Sequence, residues 1–251
     1  MEFLPPNLSI LSAFVLILVA FIGSVISAGV GIGGGITFLT VLASIVPAPA
    51  IIPIHGVVQL GSNVSRATVQ RKHINWHITV YFVLGSIAGV IIGGSLALQL
   101  PENMLKLLLA LYILYSIWGP IKLGLSNLSP AVLSIAGLFS AFITMFLGAT
   151  GPFVISILAP CIPDRKSLFG THAVCMVIQH SLKILVFGLL GFSFGPWLPL
   201  LAIMIAAGYF GTLLGSRLTE LASESLFRKI LKIILTILAI NLLLSGSGVY
   251  S

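Results

Sequence analysis

The sequence predicts an all-α polytopic membrane protein, duplicated into two halves, with discontinuous or re-entrant helices at its centre. Three observations carry that prediction. Hydrophobic residues make up 58% of the 251-residue chain and charged residues 7%, and a soluble protein could not cover so apolar an interior with so few charges. Several runs reach the roughly 20 apolar residues that cross hydrocarbon. A polar helix face also occurs twice: His55, Gln59, Asn63 and Arg66 recur 117 positions later as His172, Met176, His180 and Lys183. At about 100° per residue these offsets fall near 0°, 40°, 80° and 20°, so each set forms one narrow stripe. Ser62 and Gln179 flank the two stripes at the same offset.

The elements follow in order. Long apolar spans are expected at 9–27, 78–98, 105–121, 131–148, 198–218 and 230–244. Between the first two lies an irregular stretch. Gly29, Gly31, Gly33, Gly34 and Gly35 precede a short run ending at Val46. Pro47, Pro49 and Pro53 then break the chain, and a second short run carries the His55 stripe. The second half repeats the plan with Gly148, Gly151 and Pro152, a short run to Pro160, a break at 163–166, and the His172 stripe. This divides the chain into repeats at 1–125 and 126–251. Runs interrupted by Gly and Pro at matching positions of two halves point to a transporter site. Their backbone polar groups must be buried in protein or line a water-filled cavity. Each pair of short runs reads as a re-entrant or discontinuous hairpin; close helix packing through small residues is the alternative.

The net charge of +7 is scattered at helix ends and forms no tract, so nucleic acid is excluded as a partner and the bilayer is the expected one. If each hairpin enters and leaves on one side, each half has an odd number of full crossings and the halves are inverted. One face then collects Arg66, Arg71, Lys72, Lys122, Arg217, Arg228, Lys229 and Lys232. The other holds mainly Lys106 and Lys183. That bias makes the first face cytoplasmic, with both termini outside. Residues 1–7 contain Glu2 and no Lys or Arg before the first apolar run, so the first helix is expected to be retained rather than cleaved as a signal. Trp76, Trp118 and Trp197 lie near span ends and read as interfacial belt residues.

Gly29 to Gly34 match GxGxxG by letter, but no strand, βαβ unit or acidic residue about 20 positions on accompanies them, so no dinucleotide is expected. A helix starting near Gly35 and Thr37 would aim its positive end at an anion, with Gly33 and Gly34 leaving backbone N–H groups open, and Thr150 and Gly151 would do the same in the second half. Arg66 and Lys183 are either interfacial anchors or cations of a central site. Each shares a face with His and amide side chains. Arg66 offers a planar fork of donors, while His55, Gln59, Asn63, His172, Gln179 and His180 add neutral hydrogen-bonding groups. Such a lining suits a small-molecule oxyanion better than a cation, because no Asp or Glu lies along it. Asp164 is the only acid in a broken segment and is expected to pair locally with Arg165 or Lys166. No cofactor or resident metal is called for.

With these motifs in view, the chain resembles the TauE/SafE sulfite-exporter family of membrane transporters. The resemblance rests on Gly31 through Gly35 after the first span, on Pro47 through His55, on Asn63-Val64-Ser65-Arg66 and the basic loop after it, and on Gly85 through Gly94. Gly148 through Pro152 and the His172 segment complete it. It implies two homologous four-helix halves in a bacterial cytoplasmic (inner) membrane. It also implies export of a small sulfur oxyanion, sulfite or an organosulfonate, by alternating access.

Two transport alternatives remain. In a soft-metal (Cu or Zn) permease, His172, Cys175, Met176 and His180 would supply ligands, although Cys175 points about 60° off the stripe. A passive anion channel would use the same cationic lining. An intramembrane hydrolase would need an HExxH, a Ser–His pair or an acid dyad, and the sequence offers no HExxH and almost no acids.

Overall fold

Pro, Gly and Ser set the helix boundaries, and the apolar runs between them fill with helix. The structure, a computed structural model, describes residues 4–5, 8–30, 33–97, 101–119, 129–218 and 224–247, with side chains at all of these except 30, 95, 97, 102, 218, 224–231 and 234. The expected boundary between 125 and 126 lies outside the described residues, as do Gly31, Glu2, Lys122 and the side chains of Arg228 and Lys229. Among the described residues there are ten α-helices and no strand. They are α1 (Ile10–Val30), α2 (Gly34–Ile45), α3 (Ala48–Val69), α4 (Trp76–Ala97), α5 (Glu102–Trp118), α6 (Pro130–Leu147), α7 (Gly151–Leu158), α8 (Arg165–Leu189), α9 (Leu198–Leu218) and α10 (Glu224–Gly246). Five helices are long and apolar enough to cross a membrane, and three shorter apolar ones accompany them.

Of each expected pair of short runs, only the first is short. At 12 and 8 residues, α2 and α7 are about 18 and 12 Å long, well under the roughly 30 Å of hydrocarbon. The second arms, α3 and α8, run 22 and 25 residues. Each side of residues 120–128 therefore contributes five described α-helices, one more than four. Pro49 sits in the first turn of α3, where its fixed φ suits a helix start and no backbone donor is missed. Pro53 lies inside the helix and removes only the bond to the Pro49 carbonyl. The one break is at Val46 and Pro47, where the backbone is extended. Gly33 caps α2 with φ 103° and Gly148 ends α6 with φ 75°, a left-handed region that side chains other than glycine's disfavour.

Helix pairing follows a pseudo-two-fold pattern. α1 packs on α9 as α6 packs on α4, α3 packs on α8, and α5 packs on α10. Small residues allow the closest approaches. A Cβ at Gly85, Gly89 or Gly137 would lie within 2.1 Å of a carbonyl oxygen across the α4–α6 contact, and one at Gly211 or Gly215 within 2.4 Å across α1–α9. The same neighbours give the directions. Gly56 meets Lys183 while Gly170 meets Gln70, so α3 and α8 are antiparallel. Gly246 meets Asn103 while Trp118 bonds Thr236, so α5 and α10 are antiparallel. Phe21 meets Gly211 and Val25 meets Gly215, so α1 and α9 are parallel, as are α4 and α6.

One end of the bundle gathers Arg71, Lys72, Arg165, Lys166 and Arg217. There Arg165 donates to the Gly29 carbonyl at 3.2 Å, and Gly29 packs by Gly215. Asp164 does not serve the expected local pairing: it accepts the Ser167 N–H at 2.8 Å and caps α8. Trp76 and Trp118 are exposed, as belt residues should be, but Trp197 is buried in the main apolar cluster with Leu200 and Leu201. The short turn before α9 tucks it inward.

Candidate functional site

The antiparallel α3–α8 contact brings the two polar stripes face to face in the centre of the bundle. Every stripe residue is buried, from Lys183 at 0% exposed to Arg66 at 8%. Arg66 and Lys183 therefore do not reach the lipid-facing surface, and the snorkelling alternative does not apply. Between the stripes and the first turns of α2 and α7 lies a chamber of about 40 Å³, enough for a few waters or one small ion.

The two halves supply equivalent contacts. His55 Nε2 donates to the Gly35 carbonyl at 3.1 Å, and His172 Nε2 donates to the Gly151 carbonyl at 3.1 Å. His55 and His172 thus tie each long helix to the start of its own short one. Each cation meets backbone near the C-terminal end of the helix before its short one, α1 for Arg66 and α6 for Lys183. Arg66 donates to the Ser27 carbonyl at 3.4 Å, and Lys183 donates to the Gly148 carbonyl at 2.8 Å. Carbonyls near helix C-termini carry partial negative charge, which favours a cation there. Arg66 also donates to Asn63 Oδ1, whose Nδ2 donates to the Gln59 carbonyl at 2.7 Å. Asn63 therefore fixes the plane of the guanidinium. Lys183 Nζ approaches His180 Nδ1 at 3.4 Å, and the His180 ring meets the edge of His55 across the interface with centroids 5.9 Å apart.

Of the residues expected from sequence, Gly33, His55, Gln59, Asn63, Arg66, His172 and His180 line the chamber. The others surround it. Ser62 meets Ser24 of α1 at 3.1 Å, while Gln179 bridges Ser140 of α6 and Ser86 of α4 at 3.3 and 3.2 Å. These are matched links that hold each stripe helix to its neighbours. Thr37 bonds its own helix start at Gly33, and Thr150 meets Ser140 at 3.2 Å. Gly34 is a packing residue: a Cβ there would fall 1.7 Å from the Gly23 carbonyl oxygen. Lys183 lies behind His180, one layer from the wall.

Ser27, Ile36, Ala149 and Pro152 also line the wall without having been picked out as binding residues by sequence reasoning, while Gly35 and Gly151, expected at the helix starts, and Met176, expected on the second stripe, line it too. Cys175 faces away, into an apolar cluster with Ile78 and Phe82. No described residue of the wall is acidic. A larger cavity of about 310 Å³ opens at the opposite end from the basic cluster, by Lys106, Trp197 and Asn241, and touches neither stripe.

This arrangement can attract and orient a small anion. It combines a buried guanidinium, an amide, imidazole groups and the starts of two short helices in a low-dielectric site, where such interactions count for most. Comparison with known proteins agrees with that chemistry. No curated protein and no solved structure matches the chain. The family model described as Sulfite exporter TauE/SafE, a transporter family, matches residues 16–242. The chain belongs to the TauE/SafE sulfite exporter family of integral membrane transporters.

Proposed function

We propose that the protein exports a small sulfur oxyanion, sulfite or an organosulfonate, across a bacterial cytoplasmic membrane by alternating access, with the chamber between α3 and α8 as the binding site. The observation that carries this reading is Arg66, buried at the chamber wall and oriented by Asn63 and the Ser27 carbonyl. A buried cation facing a polar cavity with an acid-free described wall suits an anionic guest.

Several features support the mechanism. In an inverted repeat the pseudo-two-fold axis lies in the membrane plane, so the central helices of the halves must run antiparallel. α3 and α8 do so, as do α5 and α10. The repeats would be 1–125 and 126–251. α2 and α7 would each begin at the chamber and run toward opposite faces, with their positive ends inward. The Arg71, Lys72, Arg165, Lys166 and Arg217 end would then be cytoplasmic. Export along this path is assisted by an inside-negative potential, worth about 2.3 kcal/mol per charge per 100 mV. A soft-metal permease loses its thiol, because Cys175 points into apolar packing.

The test is sulfite efflux from vesicles containing purified protein. Arg66→Gln should reduce flux by about 10- to 100-fold, the effect of losing a charge-assisted hydrogen bond of about 1.5–3 kcal/mol. Arg66→Lys should recover only part of it, since an ammonium cannot reproduce the planar fork. Wild-type flux in both variants would remove Arg66 from the site.

A further inference from the structure

We propose that the anion held in the chamber is singly protonated, and that its own O–H is donated to Nδ1 of His55 or His172. This rests on the oxyanion reading above and narrows it to one protonation class.

The inference starts from tautomers. A carbonyl oxygen only accepts, so the bonds from His55 to Gly35 and from His172 to Gly151 require hydrogen on Nε2 in both rings. In the neutral imidazole the other nitrogen, Nδ1, is then a lone pair. Both Nδ1 atoms are buried and, among the described residues, neither has a hydrogen-bond partner. A buried acceptor without a donor is costly, and in a native structure it calls for an explanation. The same atom is unmet at the same position of both stripes, so a local accident of packing in one half does not explain it. His55 Nδ1 also faces across to the other half, 3.5 Å from where a Cβ on Gly148 would sit. Both rings belong to the chamber wall.

Charged and titratable neighbours come from both stripe helices. His55 lies edge to face with His180 of α8 and feels the charge of Lys183, and His172 feels Arg66 of α3 and His180 of its own helix. Arg66 and the side-chain amide of Gln59 supply donors for anionic oxygens. Among the described residues, no donor reaches the two imidazole lone pairs. A fully deprotonated oxyanion has acceptors only and would set lone pair against lone pair. A monoanion with one hydroxyl satisfies both sides: its bare oxygens take the cationic donors, and its hydrogen goes to an imidazole.

Bisulfite fits this description. Methanesulfinate is the matched control, having the same charge, the same pyramidal sulfur and a similar size, with a methyl group where bisulfite has its hydroxyl. The experiment is a binding competition on the purified full-length protein in mildly acid buffer, with radiolabelled sulfite displaced by unlabelled sulfite or methanesulfinate. Methanesulfinate should bind at least about tenfold more weakly, as expected when a buried acceptor stays unmet. In the His55→Met, His172→Met double variant that gap should close, because no lone pair then awaits a donor. The wild-type comparison decides the matter even if the double variant does not fold. Equal affinity for the two anions in wild-type protein overturns the protonation inference and leaves the oxyanion reading standing. Binding of neither anion overturns both.

Discussion

Asp164 shows how one residue sets a helix boundary. Its carboxylate is held below the ordinary range chiefly by the Ser167 N–H that it accepts, with smaller help from the Ser167 hydroxyl and His73. A depressed folded-state value means that the group stabilises the fold above the unfolded-state pKa. That contribution is lost as pH falls through the folded value. Thermal unfolding in detergent should therefore show Asp164→Ala less stable than wild type at neutral pH, with the difference shrinking on acidification. Asp164→Asn, which keeps the capping oxygen, should stay near wild type throughout. An Asp164→Ala deficit that persists undiminished at acid pH would assign the effect to something other than the carboxylate. The stripe residues are read at this same scale. A 3.6-residue period made His55, Gln59, Asn63 and Arg66 legible as one face, because helical geometry is local. Whether a given member touches the chamber was not legible: Gln179 has the right offset yet spends its amide on Ser140 and Ser86.

Among the elements, the glycine-bearing faces of α4 and α9 decide how closely the halves can approach. Gly211→Val should cost about 1–3 kcal/mol, because its Cβ would lie 2.3 Å from the Phe21 carbonyl oxygen and α1 would have to move away. Gly188→Ala is the control, with its nearest neighbour at an ordinary 3.7 Å. Melting curves of the two variants in one detergent check this; equal midpoints would mean that the α1–α9 contact is slack. Element boundaries were partly legible. Gly33 and Gly148 marked the breaks, and Pro152 and Pro160 bracketed α7. Pro53 misled, because a proline near a helix start interrupts one hydrogen bond without ending a helix whose face is packed along its length.

At the scale of the whole molecule, a carrier must rearrange while a channel need not. Cβ atoms at Gly170 and Gln70 would stand 3.1 Å apart at the basic ends of α8 and α3, close to disulfide reach. In a background lacking Cys161 and Cys175, Gln70→Cys with Gly170→Cys should stop sulfite flux on oxidation and restore it on reduction. Flux unaffected by the cross-link would favour a static pore.

The membrane class, the paired Gly and Pro breaks and the matched polar stripes could be read from the sequence alone. They depend on composition and on periods that repeat within one helix, and such signals survive without knowledge of neighbours. The length of the second hairpin arms, the antiparallel facing of α3 and α8, and the division of stripe residues between wall and scaffold were decided only by tertiary packing. A side chain's task in a bundle is set by the group opposite it, which lies scores of residues away along the chain. His55 illustrates the difference. Its helix face could be read from spacing, whereas its buried, unmet Nδ1 became visible only once Gly35 had taken the other nitrogen.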